Sequence, residues 1–130
     1  MVNKKTMGTN QTIIPVLRIL DVDKAKEFYI GWLGFSIDWE HRFDAAAPLY
    51  MQVSHGECVM HLSGHFGDAC PGGAARIPVD DIDRYQQGLL AKRYKHARPG
   101  AAQLMPWGTR DLTITDPSGN RLTFSQPSTA

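Results

Sequence analysis

The sequence predicts an α+β fold made of two βαβββ modules, and three observations carry that expectation. Asp21-Val22-Asp23 and Asp81-Ile82-Asp83 stand sixty positions apart, and each follows a strand-like run and opens a helix-like one. Each half then closes with alternating runs joined by a tight turn. Between the halves, residues 64–73 are rich in Gly, His, Asp and Pro, which is the composition of a linker.

At 130 residues the chain is one domain, or two half-size units sharing a core, because two independent cores seldom fit below about 150 residues. Hydrophobic residues at 42% and charged ones at 21% supply a packed core without a bias towards disorder. A formal net charge of +1 gives neither a basic stripe for nucleic acid nor an acidic surface for a cationic partner. No apolar run approaches the length of a membrane span, and no cationic stretch followed by an apolar one opens the chain. A cytoplasmic protein without nucleic-acid or membrane partners is therefore expected. In that setting Cys58 and Cys70 read as free thiols.

Residues 1–11 are polar and patternless and are expected to form a disordered lead, with a single domain over 12–130 divided into module 1 at about 12–66 and module 2 at about 72–126. Residues 13–20 form the first strand, with Leu17 and Ile19 on one side and Ile14, Val16 and Arg18 on the other; Pro15 puts it at an edge. Asp21-Val22-Asp23 offers N-caps for a helix whose Ala25, Phe28, Tyr29 and Trp32 recur at helical spacing, and Gly34 ends it. A second strand alternates from Phe35 to Phe43. A hairpin follows, with Leu49, Met51 and Val53, then Met60 and Leu62, on its buried side. In the second half, Ala75, Ile77 and Val79 mark a strand, Asp83 and Gln86 are spaced as a capping box, and Ile82, Tyr85 and Leu89 form the helix's buried stripe. Residues 95–106 give only a short strand at Leu104-Met105.

The last hairpin is the most clearly written element. Leu112, Ile114, Leu122 and Phe124 share one parity, and Thr113, Thr115, Arg121 and Thr123 the other. Asp116-Pro117-Ser118-Gly119-Asn120 joins them: Pro117 presets φ, Asp116 can accept from its own backbone, and Gly119 can take a positive φ. The parity opposite the helices holds Ile14, Val16, Arg18, Tyr50, Gln52, Ser54, Val59, His61, Ser63, Ala74, Arg76 and Pro78 beside the threonines and Arg121. That face is too polar for a core and suits a ligand cleft. Trp107 falls on its parity, at the mouth.

Pro15-Val16-Leu17, Asp21-Val22, Glu27-Phe28-Tyr29, Leu33-Gly34-Phe35-Ser36, Pro106-Trp107-Gly108, Asp116-Pro117, Gly119-Asn120 and Phe124 come in an order and spacing that resemble the glyoxalase/bleomycin-resistance proteins of the vicinal oxygen chelate superfamily. The resemblance is closest to the bleomycin-binding branch and runs from Ile13 to Gln126. It implies the fold shared by glyoxalases, bleomycin-resistance proteins and dihydroxybiphenyl dioxygenases, with half-barrel sheets and helices outside.

Metal-using members of that superfamily hold a divalent ion with His and Glu from the first and last strands of each unit. By motif these positions fall on Ile14, His61, Ala74 and Thr123, of which only His61 can ligate, whereas a catalytic ion needs about three protein ligands. The resemblance thus implies no metal, no cofactor and no catalytic residue. The alternative is a glyoxalase-like metal-dependent lyase or isomerase, or a dioxygenase-type enzyme, with an atypical site. For that site His61, His65 and Asp68 have suitable chemistry but no standard spacing.

Bleomycin-binding members are not catalytic; they sequester the drug in clefts between two subunits, stacking aromatic side chains on its flat heteroaromatic part. By motif the stacking Trp falls on Trp107, and an aromatic of the second strand, with a one-residue gap, on Phe43. Trp39, Tyr50 and Arg110 are further candidates near that mouth, and His61, Thr113 and Arg121 lie on the cleft parity. Trp39 and Phe43 also share the parity of Phe35 and Ile37, so packing under the first helix is the competing expectation for both. A homodimer is implied, with exchange of the first strand at Pro15. The branch is acidic, to suit a cationic drug, whereas this chain has 13 acidic and 14 basic residues, with Arg18, Arg76 and Arg121 on the cleft parity. A neutral or anionic planar aromatic ligand is expected in place of a strongly cationic one.

Overall fold

The computed structural model describes residues 11–127. In chain order they form β1 (Val16–Arg18), α1 (Val22–Lys26) continuing into a π-helical segment (Glu27–Trp32), β2 (Ser36–His41), β3 (Tyr50–His55), β4 (Cys58–Ser63), β5 (Ala74–Pro78), α2 (Ile82–Ala91), β6 (Gln103–Leu104), β7 (Thr109–Thr115) and β8 (Arg121–Pro127). Two four-stranded sheets result, ordered β1-β4-β3-β2 and β5-β8-β7-β6, each with its first strand parallel and the rest antiparallel. This is the βαβββ unit used twice. Residues 1–10, most of the expected disordered lead, lie outside the described residues. From Val16 onwards β1 pairs with β4 of its own chain.

The helices stay on one face of the sheets because each strand alternates. Leu17, Met51, Val53, Met60 and Leu62 in the first sheet, and Ile77, Leu112, Ile114, Leu122 and Phe124 in the second, are buried against Ala25, Phe28, Tyr29, Trp32, Ile82 and Leu89 of the helices. These side chains belong to one cluster, so the modules share a core. Polar bonds cross between them as well. Trp32 Nε1 donates to Leu89 O at 3.1 Å, Lys92 Nζ to Trp32 O at 2.6 Å, and Tyr85 OH to Leu33 O at 2.8 Å. The last two satisfy the Trp32 and Leu33 carbonyls at the end of the first helical segment.

Several elements depart from expectation. β1 is three residues long, not eight, and β2 stops at His41. The first helix widens at Glu27: Leu33 N donates to Phe28 O, five residues back, at 2.9 Å. The wider turn buries Leu33 together with Phe28, Tyr29 and Trp32. Asp81, not Asp83, caps α2, accepting from Arg84 N at 3.2 Å, so the expected capping box is absent. Asp83 instead holds Arg110 through both carboxylate oxygens.

The most consequential departure is a β-bulge in β2. Ile37 pairs with Val53, but the next registered residue, Trp39, pairs with Gln52, and the register slips by one between them. A slip of one residue moves every following side chain to the other face. Glu40 therefore turns to the helix side, where it meets Lys26 at 2.8 Å. Trp39 turns to the face opposite the helices. Neither Trp39 nor Phe43 packs under the first helix; they are 43% and 76% exposed.

Candidate functional site

The bulge brings Trp39 onto the inner face of the first sheet beside Tyr50 and His61. The Trp39 and Tyr50 rings stack, with centroids 6.0 Å apart and planes 12° from parallel, and His61 meets both edge-on, at 5.2 Å each. Cross-strand register explains the grouping: Tyr50 lies opposite His41, and Gln52 lies between Trp39 and His61.

A hydrogen-bond chain fixes these side chains. Tyr50 OH is 2.7 Å from His61 Nδ1, and His61 Nε2 is 3.0 Å from Gln52 Oε1. An amide oxygen only accepts, so Nε2 carries the proton and the Tyr50 phenol donates to Nδ1. Gln52 Nε2 in turn donates to Asp38 Oδ2 at 3.0 Å, and Ser54 Oγ to Asp38 Oδ1 at 2.9 Å. Burial, and then the nearby Asp68 carboxylate, push the Tyr50 phenol above its ordinary value, so it keeps its proton at neutral pH. Nε2 thus donates and the Nδ1 lone pair accepts, so neither His61 nitrogen is free for a metal without breaking the chain.

At the end of this face, Phe43 meets His41 at 4.8 Å and His65 at 5.5 Å, edge to face in both cases. Ser63 Oγ donates to Asp68 Oδ2 at 2.5 Å and accepts from His65 N at 3.1 Å. His65 Nε2 is buried without a hydrogen-bond partner. Among the described residues no group of three His, Cys, Asp or Glu side chains is placed to hold a metal ion, so His61, His65 and Asp68 do not assemble into the triad that an atypical metal site would need.

The second sheet presents a different inner face. Thr113 and Thr123 share a 2.8 Å hydrogen bond, and Arg121 lies exposed across from Thr115. Deeper in, Asp111 is held by Arg76 at 2.8 Å, by Ser125 Oγ at 2.7 Å and by Thr109 Oγ1 at 2.8 Å. Burial pushes its carboxyl up, but these three donors outweigh burial and hold it below the usual carboxylate range. The charge of Arg76 is thus committed to Asp111. Arg18 lies 5.9 Å from the Phe66 ring. Of the three expected cleft arginines, Arg121 is the one whose side chain has no partner among the described residues.

Trp107 occupies the turn between β6 and β7, where Gly108 N donates to Met105 O at 3.0 Å and Gly108 has a φ of +94°. Its side chain is 62% exposed. Arg110 does not join the inner face. It shares the parity of Leu112 and Ile114, points to α2 and is tied to Asp83. Sequence reasoning missed Asp38, which shares the inner parity of Ser36, and Asp111. The alternation of Asp111 with Thr113 and Thr115 was the available signal.

Two βαβββ modules with helices on one face and an open, aromatic and polar inner face on the other define the fold common to glyoxalases and bleomycin-resistance proteins. The chain belongs to the glyoxalase superfamily: a family model described as glyoxalase superfamily protein matches residues 3–129. No curated protein matches the sequence. Solved structures share the fold at low identity. An antibiotic-binding protein, TnmS3, from Streptomyces sp. CB03234 is 24% identical with a TM-score of 0.75, over 95% of this chain and 100% of that one. A bleomycin-binding protein complexed with bleomycin is 23% identical with a TM-score of 0.70, over 92% and 100%. The bleomycin-binding protein of Streptomyces verticillus, complexed with copper(II)-bleomycin, is 23% identical with a TM-score of 0.68, over 95% and 100%. Among the described residues no helix is long and apolar enough to cross a membrane.

Proposed function

We propose that this chain is a metal-free binding protein of the bleomycin-resistance type, which sequesters a planar aromatic compound or antibiotic by stacking it on the inner face of the first sheet. The observation that carries this reading is the Trp39–Tyr50 stack, oriented by the bonds through His61 and left 43% exposed at Trp39. An indole already held parallel to a neighbouring ring offers a flat apolar surface at little further entropic cost. The antibiotic-binding and bleomycin-binding proteins of the same fold lend support in kind.

The cleft is completed by a second copy of the chain, with the second sheet of one protomer facing the first sheet of its partner. Trp39, Phe43, Leu104 and Trp107 are large apolar side chains left open on a single chain, and they lie in the βαβββ modules that such a pairing would cover. Thr113, Thr123 and Arg121 would then supply polar contacts to a ligand stacked on Trp39. With the Arg76 charge committed to Asp111, the ligand is planar and near neutral.

Elemental analysis of the purified protein, combined with calorimetric titration of bleomycin and smaller planar heteroaromatics, tests this reading. Stoichiometric binding without a transition metal is expected. Stoichiometric zinc, nickel, manganese or iron in the purified protein would favour an enzyme of the same fold.

A further inference from the structure

A second cavity lies away from both inner faces, at the seam where β2, the β3–β4 turn, the end of β5 and the start of α2 meet. It measures about 550 Å³, within the range of small-molecule sites. Phe35, Ile77 and Phe124 form its buried floor, and the half-buried Tyr85 and Val79 with the exposed Pro78 form its accessible wall. Tyr85 is fixed in place: its hydroxyl donates to Leu33 O at 2.8 Å and its ring lies 4.9 Å from Phe124 and 6.0 Å from His55.

The rim decides the charge of what enters. Glu57 comes from the β3–β4 turn of module 1, and Asp80 and Asp81 from the β5–α2 connection of module 2. Asp81 is occupied in capping α2. Glu57 and Asp80 have no hydrogen-bond or ion-pair partner among the described residues, and no lysine or arginine lines the cavity. The basic residues nearby, Arg84 and Lys92, line the adjoining groove along α2, and Lys92 is bonded to Trp32 O.

We propose that this seam cavity is a second ligand site, selective for a small aromatic amine whose ring packs against Tyr85, Pro78 and Val79 and whose ammonium is held by Glu57 and Asp80. The Tyr85 ring and the free carboxylates both favour a cation over a neutral or anionic molecule of the same shape. Because the cavity is lined by residues of both modules, an occupant would bridge them. The site is independent of the stacking face around Trp39.

Paired titrations of the full chain with phenethylamine and 3-phenylpropionate test the proposal, followed by calorimetry and by alkylation of the two cysteines with N-ethylmaleimide. Cys58 lines the cavity and is half-buried, while Cys70 is exposed elsewhere and serves as the internal control. The amine is expected to bind at least about tenfold more tightly than the acid. At twice its Kd it should slow Cys58 alkylation about threefold and leave Cys70 unchanged. Glu57→Gln with Asp80→Asn, two exposed substitutions that leave the fold intact, should abolish the preference. Equal affinity for amine and acid, an unchanged preference in the double variant, or no heat with millimolar amine would each overturn it. A Trp39→Ala variant should bind phenethylamine as the wild type does, which separates this site from the stacking face.

Discussion

The Tyr29 hydroxyl donates to Asp116 Oδ2 at 2.6 Å, joining the π-helical segment of module 1 to the β7–β8 turn of module 2. Tyr29 is fully buried, and Asp116 is 5% exposed. The carboxylate also accepts from Ser118 N, Asn120 N and Asn120 Nδ2, so the turn and the inter-module contact are one network. Burial, then the Asp116 charge and its hydrogen bond, raise the Tyr29 phenol far above its ordinary value. Asn120 extends the network by donating to Arg18 O at 2.7 Å and accepting from Gly73 N at 2.9 Å.

Tyr29→Phe should therefore cost about 1–3 kcal/mol, because it removes one donor from a buried carboxylate while keeping the ring. Urea denaturation with an unchanged slope checks it. A loss below the error of the extrapolation would mean that water replaces the phenol.

The sheet faces make a second expectation. Leu17→Ala and Ile77→Ala should each destabilise by about 2–4 kcal/mol, since both side chains are buried between sheet and helix. Thr123→Ala, on the inner face with only Thr113 as its partner, should cost less than about 1 kcal/mol. Thermal melts of the three variants compare them directly.

These outcomes depend on features that the sequence made legible to different degrees. Strict alternation in β7 and β8 and the Asp-Pro-Ser-Gly-Asn turn fixed the last hairpin, its parities and the positive φ of Gly119, observed at +91°. The repeat of the two Asp-apolar-Asp openings gave the module order. The bulge at Asp38 was not legible, because an inserted residue leaves the alternation of residue types in β2 intact while reversing which side faces inward. Arg110 shows the converse: its parity with Leu112 sets it on the helix side, and nearness in sequence to the Trp107 turn does not bring it to the inner face. The Tyr50–His61–Gln52–Asp38 chain depends on cross-strand register, which local pattern does not specify.

Asp111 predicts a pH dependence. Its folded carboxyl lies below its ordinary value, so the stability it contributes is fully present above the unfolded value near 4 and is lost as pH falls through the lower folded value. Acid titration of stability should therefore be shallower below about pH 4 in Asp111→Asn than in the wild type. Identical acid limbs would remove Asp111 as a contributor.

Trp107→Ala should change the melting temperature little, because a side chain 62% exposed leaves no buried cavity when truncated. Its effect on ligand binding is expected only if the proposed dimer forms and brings the β6–β7 turn to the partner's cleft. Sedimentation at micromolar concentration is expected to show that dimer, and a stable monomer would remove Trp107 from the site.

The most direct test is calorimetric titration of wild type and Trp39→Ala with bleomycin and with smaller planar heteroaromatics. Stacking a flat ring on indole contributes about 1–3 kcal/mol, so truncating Trp39 should weaken binding about ten- to hundredfold. The melting temperature should barely move, since Trp39 is 43% exposed. Undiminished affinity in Trp39→Ala, or a wild type that binds none of these compounds, would contradict a stacking cleft on the first sheet.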